Sequence, residues 1–159
     1  MYKSEDFEAF IKKNFLPLWT DFLDFEIQRS LMCIKMFQTP NAYIIMQIIC
    51  WNQQLSLIKN SKYMKREEVR MQWFEDSKYG NDDKKKLSYS LVSELSGLSI
   101  ETIRRHVKKM IDNGWVTYSK REGIVFRASE GNMKNLADQL NVKEVSLLSR
   151  FLAKIEKLK

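Results

Sequence analysis

Leu87 to Ala128 reads LSYSLVSELSGLSIETIRRHVKKMIDNGWVTYSKREGIVFRA, and the order of its local signals decides the architecture. Ser88 or Ser90 can cap a short helix by accepting from its exposed amide hydrogens, with Leu91, Val92 and Leu95 facing inward. Gly97 supplies a tight turn with Leu98 at the corner, which is helix-turn-helix spacing. Ser99 caps a second helix and places Glu101 in the positive field of its first turn; Asn113-Gly114 ends it through a left-handed cap. Two β-prone runs follow, Trp115-Val-Thr-Tyr-Ser and Ile124-Val-Phe-Arg-Ala, joined by Lys120-Arg-Glu-Gly as a hairpin with a basic tip.

On a helical wheel the second helix turns Ile100, Ile103, Val107, Met110 and Ile111 to one side and Glu101, Thr102, Arg105, Lys108 and Lys109 to the other. An ordinary amphipathic surface helix shares that periodicity. The hairpin behind it tips the reading toward duplex DNA, because such a helix can lie in a major groove. There Arg can bond guanine in a bidentate manner, Thr can meet a thymine methyl and Lys can neutralise phosphate. Trp115, Val116, Ile124 and Phe126 can pack inward while Lys120 and Arg121 project toward the backbone or a minor groove. The residues expected at the DNA surface are Ser99, Glu101, Thr102, Arg104, Arg105, Lys108, Lys109, Lys120 and Arg121.

The charge distribution agrees. Of the net +7, residues 84–127 hold ten Lys and Arg against four Asp and Glu, a local +6. Residues 1–83 carry eleven against twelve and residues 128–159 six against four. A basic segment between near-neutral flanks is what a polyanion-binding module requires, although a solvated basic face has the same composition.

Outward from the motif, residues 1–83 read as a helical scaffold. Phe7, Phe10, Ile11, Phe15, Leu18, Phe22, Phe25, Arg29 and Met32 recur at helical steps from Glu5 to about Phe37, with Pro17 the expected break. Asn41 is the expected cap of an apolar helix from Ala42 to about Ile58, whose all-round greasiness demands cover from its own chain or a second copy. Met64 to Phe74 can hold a short helix, and Lys78 to Lys86 reads as an exposed loop. Residues 129–159 give a short helix to about Leu140, a separator at Asn141-Val142, and a last helix striped by Leu147, Leu148, Phe151, Leu152, Ile155 and Leu158. The fold class is therefore mainly α with a small β-hairpin, the motif at 84–128 flanked by N- and C-terminal helices that hold a homodimer together.

SGLSIETIRRHVKKMIDNGWV resembles the helix-turn-helix core of bacterial winged-helix regulators, and the flanking helices resemble the MarR-like layout. Ser99 to Val116 is similar to that family's recognition helix and the start of its wing, and Ser129-Glu130-Gly131 to the Thr-x-x-Gly turn that often opens its next helix. The resemblance implies a winged helix-turn-helix transcription regulator, dimeric through terminal helices. The Asp-x-Arg pair that often organises such a wing is absent from TYSKREGIVFR, and the stretch before the motif is longer than that family's norm.

Other chemistry is expected to be missing. His106, the single histidine, reads as a surface or phosphate-adjacent residue with no nucleophile beside it, and neither a Gly-rich phosphate loop nor metal-ligand spacing is present, so no enzyme, metal or cofactor is expected. Cys33 and Cys50 read as reduced core thiols of a cytoplasmic protein. The apolar run at Ala42–Trp51 is too short to span a membrane, and the acidic N-terminus does not read as an export signal. Trp19, Trp51 and Trp73 could line a pocket for a small apolar effector, or could be plain core. The rival functions are a winged-helix protein-interaction module of a replication or transcription complex, and a plasmid or phage replication or partition factor.

Overall fold

A computed structural model describes residues 4–60, 63–79 and 86–158. Ahead of the motif lie α1 (Ser4–Lys13), α2 (Phe15–Phe37), α3 (Pro40–Asn60) and α4 (Arg66–Tyr79). The motif comprises α5 (Tyr89–Ser96), α6 (Ile100–Asp112), β1 (Val116–Ser119) and β2 (Gly123–Phe126). After it come α7 (Glu130–Lys134), a π-helical segment (Asn135–Leu140) and α8 (Asn141–Lys157). Among the described residues the architecture is mainly α with one antiparallel hairpin, a winged helix-turn-helix between helical flanks, as the sequence predicts.

The core of the motif is completed by α3. Ala42, Ile45, Met46 and Ile49 are buried in one cluster with Val92 of α5, Ile103, Val107 and Met110 of α6, Val116, Ile124 and Phe126 of the hairpin, and Met133 of α7. Most of the apolar surface of α3 thus finds its cover within its own chain.

In the hairpin Val116 lies opposite Phe126 and Ser119 opposite Gly123. Leu87 adds a parallel bridge at Gly123, and its carbonyl accepts from the Ile124 amide at 2.9 Å. Gly123 has φ +77°, and a Cβ there would stand 2.5 Å from the Leu87 carbonyl oxygen, so glycine alone admits this close approach.

Several boundaries differ from the sequence reading. The first helix breaks at Asn14 and not at Pro17, because Pro17 occupies the first turn of α2, where a missing N–H orphans no helical bond. Thr39, not Asn41, caps α3: its hydroxyl accepts from the Ala42 amide at 3.1 Å, and Pro40 takes the first helical position. Asn141 does not separate two helices. Its amide reaches back to the Leu136 carbonyl, a π-type bond, and its side chain accepts from Arg66 Nε at 2.7 Å, so the helix runs through. α4 extends to Tyr79, and the rest of the expected loop at 78–86, including the boundary at 83–84, falls largely outside the described residues.

α8 packs on α2, with Phe151 stacked on Phe25 at 5.3 Å between centroids and Arg29 paired to Glu144 at 3.0 Å. The expected stripe of the N-terminal helices is only partly covered. α1 has no buried residue, and Phe7, Ile11 and Phe15 of that stripe are exposed. Among the described residues no helix is long and apolar enough to cross a membrane.

Candidate nucleic-acid interface

α5 starts where Ser88 Oγ accepts from the Leu91 amide at 3.1 Å, and ends at Gly97, whose φ of +72° is left-handed. Ser93 Oγ donates to the Leu98 carbonyl across the turn, fixing the angle at which α6 leaves. Of the residues expected inward on α5, Val92 is buried and Leu91 partly so, but Leu95 is exposed, since an eight-residue helix has one narrow contact line with α3 and α6.

Ser99 caps α6 by accepting from the Thr102 amide at 3.2 Å, and its hydroxyl donates to Thr102 Oγ1 at 2.9 Å. Both side chains therefore serve the start of the helix before they serve any ligand. The buried arc is Ile103, His106, Val107 and Met110. Ile100 and Ile111, expected inward, are at its exposed edge, and His106 takes the opposite edge in their place.

His106 is thus not a surface or phosphate-adjacent residue. It is 8% exposed and lines a small cleft with Met36 of α2 and with Gln38 and Thr39 of the turn between α2 and α3. Burial, together with the neighbouring Arg105 and Lys109 charges, holds its pKa below the ordinary value of 6.5 and favours the neutral imidazole.

The outward face carries Glu101, Arg105, Lys108 and Lys109, all exposed. Arg104 is also exposed but turns toward α5, its guanidinium 5.7 Å over the Tyr89 ring. Tyr89 in turn meets Tyr118 of β1 at 4.6 Å, so one flank joins α5, α6 and the hairpin. Sequence reasoning missed both tyrosines. Tyr118 shares a strand face with buried Val116, and nothing local marks it as exposed.

Lys120 and Arg121 sit exposed at the hairpin tip as expected, and the Lys86 ammonium donates to the Lys120 carbonyl, bringing a third cation there. The hairpin is braced by Arg127, which donates to both carboxylate oxygens of Glu122 at 2.6 and 3.1 Å. The Glu122 amide donates to Ser119 Oγ at 3.0 Å. Hydrogen bonding from Arg127 keeps the Glu122 carboxyl below its ordinary pKa. This pair, five residues apart, was not read from the sequence, which showed only that an Asp-x-Arg pair is missing.

At the far end of α6, Gly114 turns left-handed at φ +68°, and Asn132 Nδ2 donates to the carbonyls of Asn113 and Gly114 at 2.8 and 3.0 Å. α7 thereby clamps the exit of α6 against the first strand.

Residues 82–117, from just before α5 into β1, match the family model for winged helix-turn-helix DNA-binding. Over these residues the chain is similar to winged helix-turn-helix DNA-binding domains. The chain matches no curated protein and no solved structure. The family match and the cationic face of α6 point to double-stranded DNA as the partner.

Proposed function

We propose that the protein is a sequence-specific transcription regulator of MarR-like layout that binds double-stranded DNA as a homodimer. The observation that carries this reading is the exposure of Arg105, Lys108 and Lys109 on the outer face of α6 together with that of Lys120 and Arg121 at the tip of the wing. α6 lies in the major groove, where Arg105 reads a base edge and the lysines hold phosphate, while the wing grips the backbone or the minor groove. Arg104 sits on the flank with Tyr89, and Glu101, Ser99 and Thr102 orient the start of the helix.

The terminal helices support the dimer. Leu16, Leu23, Ile27 and Leu31 of α2 and Leu148 and Leu152 of α8 are exposed, apolar surface that a second copy would cover. No catalytic role is assigned: His106 is buried and neutral, and burial pushes the Cys33 thiol up to about 11 and the Cys50 thiol up to about 12, leaving neither as a thiolate near neutrality. A cytoplasmic setting fits these reduced thiols.

Selection of bound fragments from a random duplex pool tests the reading. Enrichment of an inverted repeat is expected, as is an affinity that falls steeply between roughly 50 and 200 mM salt, with a log–log slope on the order of −5 per module. No enrichment with a flat salt response would overturn DNA reading and favour a protein-interaction module.

A further inference from the structure

Met36, His106 and Met110 line one small cleft between the end of α2 and the buried face of α6. His106 and Met110 share that face because they stand four residues apart on a helix, and both are buried. Met36 lies in the last turn of α2, which left-handed Gln38 ends, and reaches the cleft from the neighbouring helix. Trp115, also buried, supplies a further wall. Trp51 and Trp73 line a separate chamber against α4, and Trp19, grouped with them in the sequence reading, stacks on Phe15 at 5.4 Å.

Size and charge decide what this cleft can hold. It measures about 60 Å³, far below the roughly 300–1,000 Å³ of small-molecule sites. An organic ligand is too large for it, and a single ion is not. The described lining contains no Asp, Glu or Cys, and its one charged residue is Lys109. Calcium and magnesium require several oxygen ligands with carboxylates among them, and zinc sites are built from thiolates, imidazoles and carboxylates. Neutral thioether sulfur beside imidazole suits a soft ion such as Cu(I), whose single charge is opposed less by Lys109 than a double charge would be.

His106 is free to act as a ligand. Among the described residues no hydrogen bond engages its imidazole, although the side chain is more than nine-tenths buried. Burial and the Arg105 and Lys109 charges keep the ring neutral, which is the form that binds a metal. Trp115 adds the type of ring that best attracts a cation.

We propose that Met36, His106 and Met110 form a binding site for a soft monovalent cation, Cu(I) or its analogue Ag(I), held by two thioether sulfurs and one imidazole nitrogen. The site does not rest on the reading of the protein as a DNA-binding regulator. Linear spacing cannot show it, because the third ligand comes from a helix far away in the chain.

The test titrates the full chain, carrying ¹³C at the methionine methyls, with silver nitrate in chloride-free buffer, and follows the methyl signals by NMR. Met36→Leu and Met110→Leu assign the two signals and conserve volume in the core. The Met36 and Met110 methyls should shift together and saturate, with the remaining methionines in place. Silver captured by Cys33 or Cys50 leaves these two methyls unmoved, so the readout separates the site from the thiols. His106→Gln should raise the silver concentration needed for the shift by at least about tenfold, since even outer-shell changes cost a metal site about that much. If this variant fails to fold by circular dichroism, the ring nitrogens of His106 in the unaltered protein decide, and one of them should shift in step with the methyls. Zinc sulfate should move none of these signals. Unmoved methyls in excess silver, a shift at only one of the two, an equal response in folded His106→Gln, unmoved His106 nitrogens, or an equal response to zinc overturns the site.

Discussion

α6 and α2 read alike as amphipathic sequences but resolve differently in space. α6 opens on a hydroxyl cap, closes at Gly114, and buries the whole centre of its stripe against α3 and β1. α2 starts at Asn14 without a side-chain cap bond and buries only Leu18 and Cys33, leaving Ile27 57% and Leu31 62% exposed. Both helices end at a left-handed residue, Gln38 or Gly114, so the difference lies at the start, where only α6 has a side-chain cap, and in the apolar surface of α2 that its own chain leaves uncovered.

The largest expected effect lies on the self-contained side. Phe126 is 1% exposed at the junction of hairpin, α3 and Trp73, so Phe126→Ala should cost about 3–5 kcal/mol in urea unfolding, from lost burial and the cavity left behind. A cost below about 1 kcal/mol would mean that the hairpin is not locked to the core as described.

On the other side, Ile27→Asp with Leu31→Asp should convert a dimer to monomer in sedimentation velocity while leaving the helical dichroism unchanged. Carboxylates cannot be buried at an apolar interface without partners. These exposed positions are cleaner probes than Phe151, whose ring is already packed on Phe25 within the chain. A wild-type protein that sediments as a monomer at micromolar concentration would remove the dimer from the reading.

Within the motif, α6 and the wing should differ in kind. Arg105→Ala should lose roughly 1–3 kcal/mol on the preferred site and relax preference at one base pair. Arg121→Ala should weaken all duplexes about equally and lower the salt slope by about one. Exchange of these two phenotypes would show that α6 does not read the major groove.

The smallest effect belongs to His106. Its folded pKa lies below 6.5, so between the two values the unfolded chain binds the extra proton. Stability should be complete above the unfolded value and decline as pH falls through and below it. Thermal melts from neutral to mildly acidic pH should show that decline, and His106→Gln should flatten it. An unchanged slope in the variant would assign the acid sensitivity to other groups.

Short-range signals sufficed to determine the motif. A serine cap at Ser88 or Ser90, of which the structure selects Ser88, Ser99 as the second cap, Gly97 and Gly114 as turns, the inward Ile103, Val107 and Met110, and the hairpin with Lys120 and Arg121 at its tip are consequences of hydrogen-bond satisfaction and periodicity within a dozen residues. What only the tertiary structure decided depends on residues far apart in the chain. A wheel cannot say that α3 supplies the other half of the motif core, that His106 rather than Ile111 turns inward, or that Tyr118 stays at the surface. The Arg66 contacts at Asn141 and Ala137 span 75 and 71 residues, and with them the helix runs on where the sequence suggested a stop. Periodicity fixes which face of a helix is apolar, but the width of the buried arc is set by the shape of whatever packs against it.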